Sequence, residues 1–401
     1  MPGPLAHLTI LDLSRVLAGP WCTQLLADLG ATVIKVEKPV TGDDTRAWGP
    51  PFLEDTAGRD TGEAAYYLAC NRGKRSVAID FTRPEGRDLV LALARDADAL
   101  VENFKVGGLS KYGLDYASVA SINPRLVYAS ITGFGQDGPY ADRAGYDFII
   151  QGMGGMMSVT GLPDGEPGGG PMRAGVAIAD LFTGMYACAA ILASLYAREK
   201  TGEGATIDMA LFDTQLAVMA NQASNTLISG KDPPRQGNTH PNIVPYQPFE
   251  AADQPIIIAV GNDRQFARLA DICGHPEWVG DERFASNGAR VANRSDMVRL
   301  VTDVIREKPA AEWLDQLEAA GIPAGPINLV TQALSDIQAQ HRQMVRTIAG
   351  TPLVGSPVRL DGHRADSDLP PPALGEHTDE VLSGLLNGDE LAGLRASGVI
   401  G

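Results

Sequence analysis

The chain has 401 residues, 44% of them hydrophobic and 20% charged, which is enough for two domains with sizeable cores and too apolar for a disordered or fibrous protein. Its net charge of −16 excludes general binding to nucleic acid or anionic membranes, both of which need a positive surface. The first residues, MPGPLAHLTILDLS, have no basic region and no long apolar stretch, so a cytoplasmic protein is expected; the scattered Cys22, Cys70, Cys188 and Cys273, without a CxxC, read as structural thiols and not metal ligands.

Leu8 to Leu13 alternates apolar and polar residues and predicts a strand. The turn SRVLAGP follows, then a helix over Trp21 to Leu29 ended by Gly30, then a strand from Ala31 to Glu37. Such a β-α-β opening belongs to doubly wound sheets, whose ligands lie at the carboxyl ends of the strands. The turn lacks GxGxxG, so no dinucleotide is expected. Pro39 to Thr61 is a polar excursion of the kind that forms lids or interface arms. In Asn71 to Phe81, the cations Arg72, Lys74 and Arg75 precede a predicted strand and suit either phosphate groups or a solvated basic loop. A helix over Pro84 to Ala97, a strand over Ala99 to Phe104, the cations Lys105 and Lys111, and a strand over Leu126 to Phe134 come next. That strand runs into a glycine-rich loop with Arg143 and Tyr146. The alternation predicts a largely parallel sheet, with cations where strands end.

Gly161 to Gly175 is turn-rich and reads as a lid or a bare spacer. It leads to Val176 to Ala197, the longest apolar run, in which Asp180 is the single charged residue. The run predicts a helix buried on most sides. About 20 apolar residues would also span a bilayer, but the small residues and absent basic flanks favour a core helix. Asp180 falls at the N-cap or first turn, where the helix dipole and free N–H groups keep a carboxylate ionised near neutral pH. It is either a plain cap or an oxygen nucleophile at the edge of a dry site. A strand over Ala205 to Ala210 and a helix over Leu211 to Leu227 follow, then a Pro- and Gly-rich linker over Ser229 to Tyr246. The expected division is a large domain over 1–228, a smaller α/β domain with its linkers over 229–325, and a return to the large domain over 326–401.

The segments LDLSRVLAGPWCTQLLADLGATVIKVE, NRGKRSVAID, VENF, NPRLVYASITGFGQDGPY, VAIADLFTG and PPALGEHT resemble, in the same order, those of the class III CoA-transferase (CaiB/BaiF) family. The resemblance implies an α/β fold: a Rossmann-like large domain with a mostly parallel sheet, plus a smaller α/β domain, in an interlocked homodimer. It also implies that Asp180 attacks an acyl-CoA thioester, forming an aspartyl-acyl anhydride and then an aspartyl-CoA thioester from which an incoming acid takes the CoA. Coenzyme A is then a substrate, and no permanent cofactor is expected. Family positions that contact CoA map onto Leu17, Ala18, Lys38, the run Ile79, Asp80, Phe81 and Thr82, then Asn103, Phe104, Lys105, Lys111, Arg143 and Tyr146, with Arg72, Lys74 and Arg75 close by in sequence. His240, Tyr246 and Gln247 would line the acceptor side or merely pack the linker. Two departures bear on the branch. Tyr146 stands where racemase members carry a His, and a phenol with a pKa near 10 is a poor base, which disfavours the alternative of a 2-methylacyl-CoA racemase. The small domain has no run of glycines, which disfavours formyl or oxalyl substrates. HPNIVPYQPF and GNDRQF look most like the succinyl-CoA:dicarboxylate branch, so the expected partners are an acyl-CoA and a small carboxylic acid.

Overall fold

The computed structural model describes residues 3–401. In chain order the first elements are β1 (Thr9–Asp12), α1 (Ala18–Asp28), β2 (Thr32–Glu37), β3 (Lys74–Ala78), α2 (Pro84–Asp96), β4 (Ala99–Glu102), β5 (Val127–Thr132), α3 (Asp147–Met153), α4 (Ile178–Thr201), β6 (Ala205–Ala210) and α5 (Leu211–Val218). The six strands form one parallel sheet in the order β3-β2-β1-β4-β5-β6. Because successive side chains point to opposite faces, Ile10, Val33, Val101 and Ala129 pack with α1 and α4. Leu11, Ile34, Val77, Leu100 and Tyr128 pack with α2 on the other face. The end of the chain closes this second layer: Leu382, Val399 and Ile400 are buried in it, and Asp80 N–H donates to the Val399 carbonyl at 2.8 Å.

Among the described residues, α4 is the one helix long and apolar enough to cross a bilayer by length and composition. One face, with Ala179, Thr183, Ala187, Ile191 and Leu195, is buried against the sheet layer. A Cβ on Gly184 would lie 2.6 Å from the Ala18 carbonyl oxygen, so glycine at this position is what lets α4 approach α1. The other face leaves Met185, Tyr186 and Tyr196 exposed, by 67% for Tyr196. Burial on most sides is therefore corrected to burial on one, since the sheet and α1 occupy a single side. The helix expected over Leu211 to Leu227 breaks in two where Ala220 takes φ +43°.

The chain divides into two compact units. The first holds the residues up to Met156, Ala174–Ile228 and Ile337–Gly401, and the second Met157–Arg173 and Ser229–Asp336. The second unit thus takes in most of the segment read as a lid or spacer, because Gly237 N–H donates to the Gly161 carbonyl at 3.0 Å and Arg235 pairs with Asp164. Its antiparallel sheet runs β9-β8-β7 from β7 (Tyr246–Glu250), β8 (Pro255–Ala259) and β9 (Ala324–Pro326). Helices α6 (Asp263–Ile272), α7 (Arg294–Ile305) and α8 (Ala310–Ala319) enclose a core with Phe249, Ile256, Phe266, Met297 and Trp313. β7 begins inside the stretch read as linker, where Pro245 and Pro248 hide the strand pattern.

Candidate active site

Strand order reverses between β1 and β4, and ligands of open parallel sheets bind at such a switch point. A cavity of about 200 Å³ opens there. Its walls are Arg15 to Ala18 from the turn after β1, Asn103 to Val106 after β4, Ile131 to Gly133 at the end of β5, the loop residues Arg143 to Tyr146, and Asp180 from α4. The structure therefore brings Leu17, Ala18, Asn103, Phe104, Lys105, Arg143, Tyr146 and Asp180 together. Arg15 and Asp44, which the sequence reading did not single out, share the wall.

The turn after β1 is strained: Val16, a β-branched residue, has φ +73°. Polar side chains hold it. Val16 N–H donates to Asp43 at 3.2 Å, and Asn103 exchanges hydrogen bonds with the Arg15 backbone at 2.9 and 2.7 Å. Beneath them the Lys35 ammonium donates to the Ser14 carbonyl and to Asp43, both at 2.9 Å. Burial opposes ionisation of Asp43, yet the Lys35 charge and the Thr45 N–H hold its carboxyl at about 2.

Lys74 belongs to this substructure and not to a phosphate site. Its ammonium is fully buried and donates to Asp12 at 3.0 Å and to the Pro20 carbonyl at 2.9 Å. Arg72 is buried against Asp28 at 2.6 Å and Asp366 at 2.9 Å, and Arg75 pairs with Glu380 at 3.1 Å. None of the three lines the cavity, which corrects the reading of Arg72, Lys74 and Arg75 as an anion-binding loop. The reason is register: Lys74 and Arg75 sit inside β3, opposite Val33 and Ile34, and the buried carboxylates on neighbouring segments take the charges. Lys38 is exposed beyond β2, Ile79 is in the second core, and Asp80 accepts from Thr82 N–H at 3.1 Å, so these four positions also stand off the cavity wall. Phe81 and Lys111 connect to it through rings. The Arg15 guanidinium lies 5.1 Å over Phe104, Phe104 meets Phe81 edge-on at 5.7 Å, Phe81 meets Tyr112 at 5.6 Å, and the Lys111 ammonium lies 4.7 Å from Tyr112.

Asp180 is the third residue of α4, and its helix has no side-chain cap of its own. Asp147 on α3 supplies one: one carboxylate oxygen accepts Ala179 N–H at 2.9 Å and the other accepts the Gln151 amide at 2.7 Å. Gln151 in turn accepts Ala174 N–H at 2.9 Å. The capping role considered for Asp180 thus falls to Asp147. Among the described residues nothing donates to the Asp180 carboxylate, which is half-buried on the cavity wall. Burial, reinforced by the Asp147 charge, pushes its carboxyl up to about 7. That corrects the expectation of a carboxylate fully ionised at neutral pH, since desolvation and a like charge outweigh the helix dipole. Tyr66 is a further neighbour, and burial followed by the Asp180 charge pushes its hydroxyl up to about 12, so it stays a donor. Trp48 packs edge-on against it at 5.3 Å. The spacing of Asp147 and Gln151, four apart and just past the AGY loop, was the available sign of the first pair; Tyr66 offered none.

In the second unit the His240 and Tyr246 rings lie 5.0 Å apart, and Gln247 borders a separate cavity. All four cysteines are buried free thiols. Among the described residues no group of three or more His, Cys, Asp or Glu is placed to hold a metal ion.

The family described as CoA-transferase family III matches residues 5–378. A succinate–glutarate CoA-transferase of Agrobacterium fabrum is 51% identical over 95% of this chain and 96% of its own length. A succinyl-CoA:glutarate CoA-transferase of Mus musculus is 42% identical over 99% of this chain and 90% of its own. Among solved structures, a CAIB/BAIF family protein from Brucella suis superposes with a TM-score of 0.85 at 50% identity, covering 96% of this chain and all of that one.

Proposed function

The chain belongs to CoA-transferase family III and is a CoA-transferase, and from that premise we propose that it moves CoA between succinyl-CoA and a dicarboxylic acid of the glutarate class, with Asp180 as nucleophile. The observation that carries the reading is the Asp180 carboxylate: it borders the switch-point cavity, accepts no hydrogen bond among the described residues, and has its pKa pushed up to about 7 by burial and the Asp147 charge. A poorly solvated carboxylate of that basicity attacks a thioester carbonyl better than a solvated one. The C–S bond breaks, leaving an aspartyl-acyl anhydride and CoA thiolate. The thiolate then attacks the aspartyl carbonyl, freeing the donor acid and leaving CoA on Asp180. The incoming carboxylate takes that acyl carbon, releasing the thiolate again, which closes on the new acyl group and restores Asp180. No water enters at any step, so the thioester is exchanged and not spent. Lys105 and Arg143 give an acidic chain local positive charge where phosphates and carboxylates would come, while Arg15 is paired with Asp44 at 3.1 Å on the same wall.

The dicarboxylate choice rests on the glutarate relatives, and the lack of a His at position 146 stands against racemisation. We propose a cytoplasmic homodimer; the exposed apolar face of α4 supports the dimer. The test is incubation in D2O with succinyl-CoA, a 2-methylacyl-CoA and free glutarate, read by mass spectrometry. Glutaryl-CoA without deuterium in the starting thioesters is the expected product, and Asp180→Ala lowers its rate on the order of 10³-fold or more. Deuterium uptake without new thioesters, or full activity of the variant, overturns the reading.

A further inference from the structure

The second unit contains its own cavity, of about 450 Å³, whose lining shares no residue with the one just described. It lies between Leu162 and Glu166, the stretch from Arg235 to Thr239, Gln247 on β7, and Arg294 at the start of α7. Three polar atoms of its lining side chains are buried without a hydrogen-bond partner among the described residues: Arg235 Nε, Arg294 Nη1 and Gln247 Oε1. The remainder of each guanidinium is anchored. Arg235 pairs with Asp164 and donates to the Ser158 carbonyl at 3.4 Å, while Arg294 donates to the carbonyls of His240 at 2.9 Å and Pro241 at 3.1 Å. Two guanidinium groups are therefore fixed in orientation with an N–H left over, and a buried charged donor without an acceptor costs free energy that a ligand can return.

The local field is positive although the chain carries −16. Burial lowers the Arg294 pKa, and burial together with the Arg294 charge lowers that of His240. Asp164 offsets the charge of Arg235 and Glu166 is exposed at the rim, so the net positive charge is that of Arg294, which has no carboxylate partner among the described residues. Fixed guanidinium N–H groups match the planar, two-oxygen geometry of a carboxylate better than a compact cation does. Turning the Gln247 amide over adds two further donors to the same place.

We propose that Arg235, Arg294 and Gln247 form a receptor for the carboxylate of a small organic acid. The choice of acid rests on the dicarboxylate reading above; the receptor itself rests on the unpaired donors. Two sources share this chemistry, namely the acid that takes part in CoA exchange and a carboxylate bound apart from it.

The experiment uses succinate as probe, titrated by NMR into full-length Asp180→Asn protein, which cannot turn over. The same titration is made with Arg235→Gln and Arg294→Gln added singly. Each is expected to weaken succinate binding about tenfold or more, with Arg294→Lys recovering part of the loss and neutral succinamide failing to bind. Kinetics with Asp180 intact then separate the sources. If the reacting acid is held, KM for glutarate rises about tenfold while kcat and the KM for succinyl-CoA stay within about twofold. If the bound carboxylate is a separate one, affinity falls and KM does not, and the receptor stands. Unchanged succinate affinity in arginine variants whose circular dichroism matches the parent overturns it. Failure of the parent enzyme to exchange CoA with any acid would refute the transferase assignment instead, and the titration would still decide the receptor.

Discussion

Asp147 controls Asp180 through space and through the helix. Its two oxygens hold the start of α4 by Ala179 N–H and Gln151, and its charge adds to burial in raising the Asp180 carboxyl to about 7. In the proposed mechanism the attacking species is the ionised form, so kcat/KM is expected to fall about tenfold per pH unit below that value. Removing a like charge lowers a carboxyl pKa. Asp147→Asn is therefore expected to carry the acid limb of the kcat/KM profile toward lower pH, by less than the full distance because burial is the larger cause. At pH 6 the variant keeps a larger fraction of its own plateau rate than the parent does. A limb that stays where it was would show that Asp147 does not act on this group. Asp180 stood out in the sequence as a lone charge in an apolar run, because isolation is visible in a string. The sequence did not reveal that the neighbouring carboxylate does the capping, since the two are 33 residues apart and meet only in the fold. Lys74 misled for the same reason: a cation beside a glycine looks free until its buried acceptor, Asp12, is found on another strand.

At the scale of elements, the contact between α1 and α4 ties packing to the site. Ala18 lines the cavity from the first residue of α1, and Gly184 touches its carbonyl from α4, where an added Cβ would come within 2.6 Å. Gly184→Val forces the helices apart, and overpacking of this kind costs about 1–3 kcal/mol. The expected result is a lower Tm together with a raised KM for succinyl-CoA, as both walls of the cavity move. A lower Tm with unchanged KM would mean that the turn after β1 holds its shape without α4. The groups that would then hold it are Asp43, Lys35 and Asn103, which bond to the turn independently of α4. The six sheet strands of the first unit were readable as short apolar or alternating runs, and α2 from the proline at its start. The positive φ at Val16 was not, because a valine gives no local sign of left-handed backbone; the buried ion pairs around it impose the conformation.

For the molecule as a whole, the composition shift at Ser229 marked one boundary between units, but the assignment of Met157–Arg173 to the second unit depends on contacts with residues about 70 positions later. No periodicity carries that information. The apolar content of α4 was equally ambiguous, as it described a buried helix and a helix with a covered face alike. In the single chain Met185, Tyr186 and Tyr196 are exposed on α4, and Leu227 and Ile228, on the later helix Ala220–Ser229, are 85% and 87% exposed. Side chains of this kind on water lose the burial that drives association, roughly 25 cal/mol per Å² of apolar surface. A second copy covering them is the proposed answer, and sedimentation at micromolar concentration should give twice the 42.4 kDa chain mass. The double variant Met185→Glu, Tyr186→Glu places two charges on that face without touching the buried side of the helix. It is expected to sediment as a folded monomer and to lose CoA exchange, because Asp180 lies five residues away on the same helix and its surroundings depend on what covers α4. A variant that remains a dimer excludes this face as the interface. A parent chain that sediments as a monomer excludes the dimer, and the exposed face of α4 would then require a different partner to explain it.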